Sequence, residues 1–182
     1  MADTITTTDT MSRIAAGLER AFAARGFMAP SVEDLRDAAG VSMRTLYKYT
    51  PSRADMVLAA LENRHRRYLV RVFDDLPTEP ARALDALMER VGRWMETETS
   101  HGCLFHAAVA ADPGREALHA LLERHKDEVA ARAAQVCAPG GCETELLLIM
   151  EGLTQAWPLR GDAAVASAKR LGRALRTSCA TG

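Results

Sequence analysis

The chain lacks the features of a membrane protein, a secreted disulfide scaffold or a β-rich domain. Its 182 residues contain no stretch near the roughly 18 to 20 consecutive apolar residues of a bilayer span. The first ten residues, MADTITTTDT, lack the basic start and apolar run of a secretory signal. A cytoplasmic protein with no membrane partner is expected. Four cysteines, at 103, 137, 142 and 179, form no CxxC pair and no regular framework, so all four are expected as thiols. Runs of β-branched residues are nearly absent and no segment alternates polar with apolar, which removes the sheet classes. No nucleophile elbow, phosphate loop or complete metal motif occurs, so neither an enzyme nor a cofactor is expected. Charge of one sign is missing too. The net charge of −1 argues against a protein that coats polyanions without selectivity.

What remains is helical. Alanine, leucine and arginine are abundant, and apolar residues recur every three or four positions. A chain of this length buries a sizeable core and accommodates about one or two domains. Residues 1–72 hold 11 Lys and Arg against 8 Asp and Glu, whereas residues 73–182 hold 12 against 16. The amino-terminal end is therefore the basic one.

The most informative stretch is Ser31 to Tyr49, SVEDLRDAAGVSMRTLYKY. Ser31 with Asp34 three residues on makes a capping box, and Val32, Leu35, Ala38 and Ala39 recur at helical spacing until Gly40. Gly40 supplies the left-handed residue that ends a helix. Ser42 then caps a second short helix, which buries Leu46 and turns Met43, Arg44, Thr45, Tyr47 and Lys48 outward. An exposed Arg donates a bidentate pair to guanine, Thr meets base edges or the thymine methyl, and Lys and Tyr hold phosphates. The second helix is thus a candidate major-groove reader. Met43, Arg44, Thr45 and Tyr47 are assigned to the bases, and Ser42, Lys48 and Tyr49 to phosphates.

Around this hairpin, Ile14, Leu18, Ala21 and Phe22 stripe a first helix that is capped by Thr10 or Ser12 and ended by Gly26. Ser52 and Asp55 make another capping box, and a fourth helix runs to about Phe73. Asp74 to Pro80, with two prolines, breaks the chain. A fifth helix ends near Glu96, a short apolar one spans Cys103 to Ala111, and the next is closed by Pro139-Gly140-Gly141. The run Arg64-His65-Arg66-Arg67 reads as a solvated face or as one that meets phosphate or an acidic neighbour, and His119 and His125 as solvent-facing or core-edge residues.

Several of these residues carry a resemblance. Ala39-Gly40-Val41-Ser42, Thr45-Leu46-Tyr47, Tyr49, Pro51-Ser52-Arg53 and Asp55, preceded by the amphipathic Ile14-to-Phe27 segment, resemble the TetR family of bacterial transcriptional regulators. One departure is Thr50, where the family usually has an aromatic. The match covers about the first third of the chain. It implies an all-α fold of about nine helices: a three-helix helix-turn-helix DNA-binding domain at 1–51, after a flexible arm at 1–10, and a helical ligand-binding and dimerisation domain at 52–182. It also implies a homodimer on a palindromic double-stranded DNA operator. Repression is then relieved by a small-molecule effector that changes the separation of the reading helices through the fourth helix.

The last two helices are the expected dimer interface. Leu146, Ile149, Gly152, Leu153 and Ala156 mark the first, and Val165, Ala168, Leu171, Gly172 and Leu175 the second. Trp94, Met95, Phe105, Met150 and Trp157 are candidate walls of an effector pocket, joined by Cys103 and His106. His101-Gly102-Cys103-Leu104-Phe105-His106 holds a Gly-Cys-Leu-Phe start that resembles a motif in a subset of the family. A thiol at a helix start near histidines is a candidate electrophile or redox sensor, or less plausibly the nucleophile of a cysteine-dependent enzyme. His101, Cys103 and His106 alone do not complete a tetrahedral metal site.

Overall fold

The computed structural model describes residues 2–98, 102–137 and 141–179, with side chains from residue 8 onward. Among these residues there are nine helices and no strand: α1 (Ala2–Arg25), α2 (Val32–Ala39), α3 (Met43–Tyr49), α4 (Arg53–Phe73), α5 (Pro80–Glu98), α6 (Leu104–Ala111), α7 (Glu116–Cys137), α8 (Glu143–Arg160) and α9 (Asp162–Cys179). The chain divides into two units. One is Met1–Arg67 with Leu104–Leu122, the other Tyr68–Cys103 with Glu123–Gly182.

In the first unit, Ile14, Leu18, Phe22, Leu35, Leu46 and Met56 have no exposed side-chain surface. They come from α1 to α4 at the spacing expected of core-facing stripes. Gly17 is the close-approach residue between α1 and α2, because a Cβ there would run into the Ala38 carbonyl and lie 2.5 Å from Ala39 Cα. α1 starts at Ala2 rather than at Thr10 or Ser12. Between Ala2 and Arg13 there is no proline or glycine, and threonine costs a helix only a few tenths of a kcal/mol, so nothing stops the helix extending.

Of the two readings of the Arg64–Arg67 run, the acidic neighbour holds for Arg64 and Arg67, while Arg66 is exposed. Glu19 is 1% exposed, and its carboxylate accepts from Asn63 Nδ2 at 2.7 Å, Arg64 at 3.2 Å and Arg67 at 2.7 Å. Arg64 and His65 are buried with it. A buried carboxylate requires such partners, and the four groups tie α1 to α4. Thr50 is buried as well. Its hydroxyl donates to the Leu46 carbonyl at 2.9 Å, so the residue standing in place of an aromatic closes the end of α3 with its own hydrogen bond.

The second unit is built on Leu84, Leu87, Met88 and Val91 of α5, Val72 of α4, and Leu146 of α8, all with no exposed surface. Tyr68 meets Trp94 and His125 edge to face, each with ring centroids 5.3 Å apart. His125 is consequently buried, while His119 is exposed with Nε2 2.9 Å from the Pro113 carbonyl oxygen. Glu79 caps α5 by accepting from the Ala81 and Arg82 N–H groups at 2.9 Å, which holds its carboxyl below the usual range. α5 runs to Glu98, slightly past the expected end at Glu96, and α6 begins at Leu104, one residue after Cys103. Pro139 and Gly140, expected to close α7, lie outside the described residues, as does His101.

The cysteines are not all thiols. Cys142, immediately before α8, and Cys179, at the end of α9, form a disulfide. The two helices are joined by a single-residue turn at Gly161 and pack together, so the far ends of the hairpin come within bonding reach. Cys137 is a thiol as expected and fully buried, and burial pushes it up to about 12.

Candidate nucleic-acid interface

Each turn of the hairpin is fixed by a local device. At the start of α2 the Asp34 N–H donates to Ser31 Oγ at 3.1 Å, and Asp34 Oδ2 accepts from the Ser31 N–H and hydroxyl at 2.8 and 2.9 Å. This is a complete capping box. The Ser31 N–H, its hydroxyl and Arg25 hold the Asp34 carboxyl below the ordinary 3.8. At the other end Gly40 has φ 64° and its N–H reaches the carbonyls of Arg36 and Asp37. The entry to α3 therefore has a set direction.

Ser42 caps α3 by accepting from the Thr45 N–H at 3.1 Å, and the two hydroxyls share a hydrogen bond of 2.8 Å. Leu46 is the fully buried residue of α3. With one side of the short helix anchored by Leu46, Ser42, Arg44, Tyr47 and Lys48 are exposed, and Met43, Thr45 and Tyr49 are half-buried. Tyr47 is 44% exposed although it is a large aromatic. The Lys48 ammonium lies 5.4 Å from the Tyr49 ring centroid, which brings a cation and a phenol side by side at the end of the helix. The structure thus brings the seven DNA-facing candidates onto one capped helix. Sequence reasoning did not show that the Thr45 hydroxyl is already engaged within the cap.

A short helix with exposed Arg, Tyr and Lys, oriented by a glycine turn and held by one buried leucine, has the form of the second helix of a helix-turn-helix. Residues 14–60 match the family of bacterial regulatory proteins, tetR family. No curated protein sequence matches the chain. Solved structures do. A TetR transcription regulator from Haloarcula marismortui aligns over 94% of this chain and 98% of its own at TM-score 0.76 and 17% identity. A TetR-family transcriptional regulator from Streptomyces coelicolor aligns over 94% and 96% at 0.75 and 18%. The reduced form of NemR from E. coli aligns over 89% and 95% at 0.74 and 20%. The match to the tetR-family model is thus confined to residues 14–60, and the chain as a whole has the fold of these solved structures.

The remaining candidate residues divide. Trp94, Met95 and Met150 lie in the core of the second unit, with Trp157 half-buried against it, whereas Phe105 and His106 belong to the first unit, Phe105 buried and His106 exposed. Cys103 is half-buried, and the Lys126 ammonium donates to its sulfur at 3.4 Å and to Glu151 at 2.5 Å. Lys126 is 23 residues away, so no sequence spacing announces it. Among the described residues no cluster of three metal-ligating side chains occurs, and no helix is long and apolar enough to cross a membrane.

Of the residues assigned to a dimer interface, Leu146, Val165, Gly172 and Leu175 pack against their own unit. Leu146 is fully buried, a Cβ on Gly92 would come 2.5 Å from Val165, and one on Gly172 would come 2.8 Å from Leu84. Leu153 and Ala168 are buried in that core too and Ile149 and Ala156 pack against it, and with Gly152 and Leu171 they form the floor and sides of an open groove of about 540 Å³ along α8 and α9. Leu148, absent from the expected set, is part of the same groove and is 66% exposed. α8 is apolar on several sides, so periodicity does not distinguish its outward leucine from its inward ones.

Proposed function

We propose that the chain is a homodimeric repressor of the bacterial cytoplasm, which binds a palindromic operator through α3 and is released when a small-molecule effector occupies the second unit. The observation that carries this reading is the α3 surface: Arg44, Tyr47 and Lys48 stand exposed on a helix whose orientation is fixed by Ser42 and Leu46. Arg44 reads bases and Lys48 holds phosphate, with Met43, Thr45 and Tyr47 beside the bases and Ser42 and Tyr49 beside the backbone. Dimerisation is supported by the open apolar groove of α8 and α9, where Leu148 and Leu171 are 66% and 58% exposed. Buried apolar surface of that kind contributes roughly 25 cal/mol per Å² when covered. A two-fold pair places two reading helices about 34 Å apart, one turn of DNA.

The test is operator binding as a function of salt. Lys48→Ala weakens binding to every sequence and reduces the slope of log K against log salt by about 1. Arg44→Ala costs about 1–3 kcal/mol and relaxes base preference at one position. Unchanged binding in both variants contradicts α3 as the reader.

A second reading of the release step rests on Cys103. The thiolate is the reacting form of cysteine, and reactive cysteines are found beside cations such as the Lys126 ammonium placed 3.4 Å from this sulfur. Cys137 is buried with its thiol pushed up to about 12, and Cys142 and Cys179 are paired, so Cys103 is the accessible thiol. Iodoacetamide, whose iodide is displaced as the sulfur–carbon bond forms, releases operator from the parent protein and not from Cys103→Ser. Equal release in both proteins assigns Cys103 a structural role.

A further inference from the structure

The first unit contains a cleft of about 280 Å³ that the proposed effector site in the second unit does not involve. It is built from three pieces of chain: the corner after α1, the first turns of α4, and the corner between α6 and α7. Phe27, Val57, Ala108 and Leu118 supply apolar walls, each less than 10% exposed. Their burial gives the cleft an apolar floor beneath an open mouth. Met28 stands at the mouth, 79% exposed, with the unbranched and adaptable side chain that recurs at permissive binding surfaces.

The polar groups are concentrated on the same cleft and are unbalanced in charge. Arg53 and Arg115 contribute two guanidinium groups against the single carboxylate of Asp112. Arg53 is held in place from one side: its Nη2 donates to the carbonyls of Phe27 and Pro30 at 2.7 and 2.8 Å, and its guanidinium lies 5.9 Å from the Phe22 ring centroid. Arg115 meets Asp112 through Nε at 3.0 Å, and its side chain remains 47% exposed. The terminal nitrogens of Arg115 thus retain donors beside the apolar lining. Guanidinium groups pair with carboxylates in a two-pronged geometry that an ammonium cannot reproduce.

We infer that this cleft is a second small-molecule site, and that it takes a compact carboxylate with an aryl or short acyl body. The volume of about 280 Å³ falls just below the roughly 300–1,000 Å³ of ligand pockets, which restricts the body to a compact one. Apolar walls select against a bare inorganic anion, and the excess of arginine selects against an amine. In the occupied cleft the body lies against Phe27, Val57 and Leu118, and the carboxylate meets Arg115 with Arg53 behind it.

The experiment is calorimetric titration of the full chain, without DNA, using 4-phenylbutyrate, its neutral amide 4-phenylbutyramide and the amine 4-phenylbutylamine. The carboxylate is expected to bind tightest and the amine weakest. Arg115→Gln weakens the carboxylate about tenfold, as expected for one charged hydrogen-bonding partner, and leaves the amide unchanged. Ala111→Trp, at an exposed position on the cleft wall, blocks both by at least tenfold. Thermal melting of each variant matched to the parent shows that the fold is kept. No binding of the carboxylate, or binding that Ala111→Trp leaves intact, overturns the site; an amide that binds as tightly as the carboxylate overturns the assignment of an anion. Because the readout is ligand binding to free protein, it is independent of whether α3 reads an operator.

Discussion

The helix-turn-helix and the α8–α9 hairpin are both pairs of helices joined by a tight turn at a glycine, yet they are specified in different ways. In the first, each helix start is closed by a serine three residues before its partner, and the turn needs the left-handed Gly40. Every hydrogen bond that sets its direction spans five residues or fewer. In the second, Cys142 gives α8 no side-chain cap, and the pairing is held by apolar contacts with α5 and by a disulfide across 37 residues. The DNA reader proposed for the first must present a few side chains at fixed angles, which local hydrogen bonds do well. The associating surface proposed for the second needs area, which nonlocal packing supplies.

That contrast can be broken first at Glu19, the buried carboxylate that makes a long-range polar tie within the head. Glu19→Ala leaves Arg64 buried without its carboxylate, and the expected loss is about 3–5 kcal/mol by denaturant unfolding. A loss below 1 kcal/mol would make the tie ornamental. Next in size is reduction of Cys142–Cys179, expected to cost about 2–4 kcal/mol for a loop of this length, with Cys142→Ser and Cys179→Ser reproducing the loss without reductant. Identical melting in oxidised and reduced protein would remove the disulfide from the account of the hairpin.

Smaller effects sharpen the comparison. Ser31→Ala removes the cap of α2 and is expected to destabilise by about 0.5–2 kcal/mol, read as a lowered denaturant midpoint with unchanged slope. The same box responds to acid. Because the folded Asp34 carboxyl is held below its ordinary 3.8, its contribution is complete above that value and is lost as pH falls through the lower folded one. Acid melting of Asp34→Asn should therefore lack one component seen in the parent below pH 3.8, and superimposable acid profiles would contradict this.

How much of the molecule was legible in its sequence follows the same division. Ser31, Asp34, Gly40, Ser42 and Leu46 could be read because each acts on residues three to five positions away. The family resemblance rested on those residues and on Pro51-Ser52-Arg53, and the match over residues 14–60 falls on the same segment. Glu19 and Arg64 could not be placed, since burial of a charge depends on partners 44 to 48 residues distant. Nor could the pairing of Cys142 with Cys179, which depends on how two helices fold back. For α8 the sequence marked an apolar helix without saying which leucines face inward. Leu146 was expected at an interface and is core, and Leu148 was passed over and is exposed.

The central claim is that α3 reads one DNA sequence from a two-fold pair of chains. Selection of bound fragments from the source organism's genomic DNA, with purified protein at fixed salt, tests it most directly. The account predicts recovery of one palindromic site whose half-sites lie about one helical turn apart. Recovery of unrelated fragments whose binding vanishes with modest salt, or of none, would contradict it.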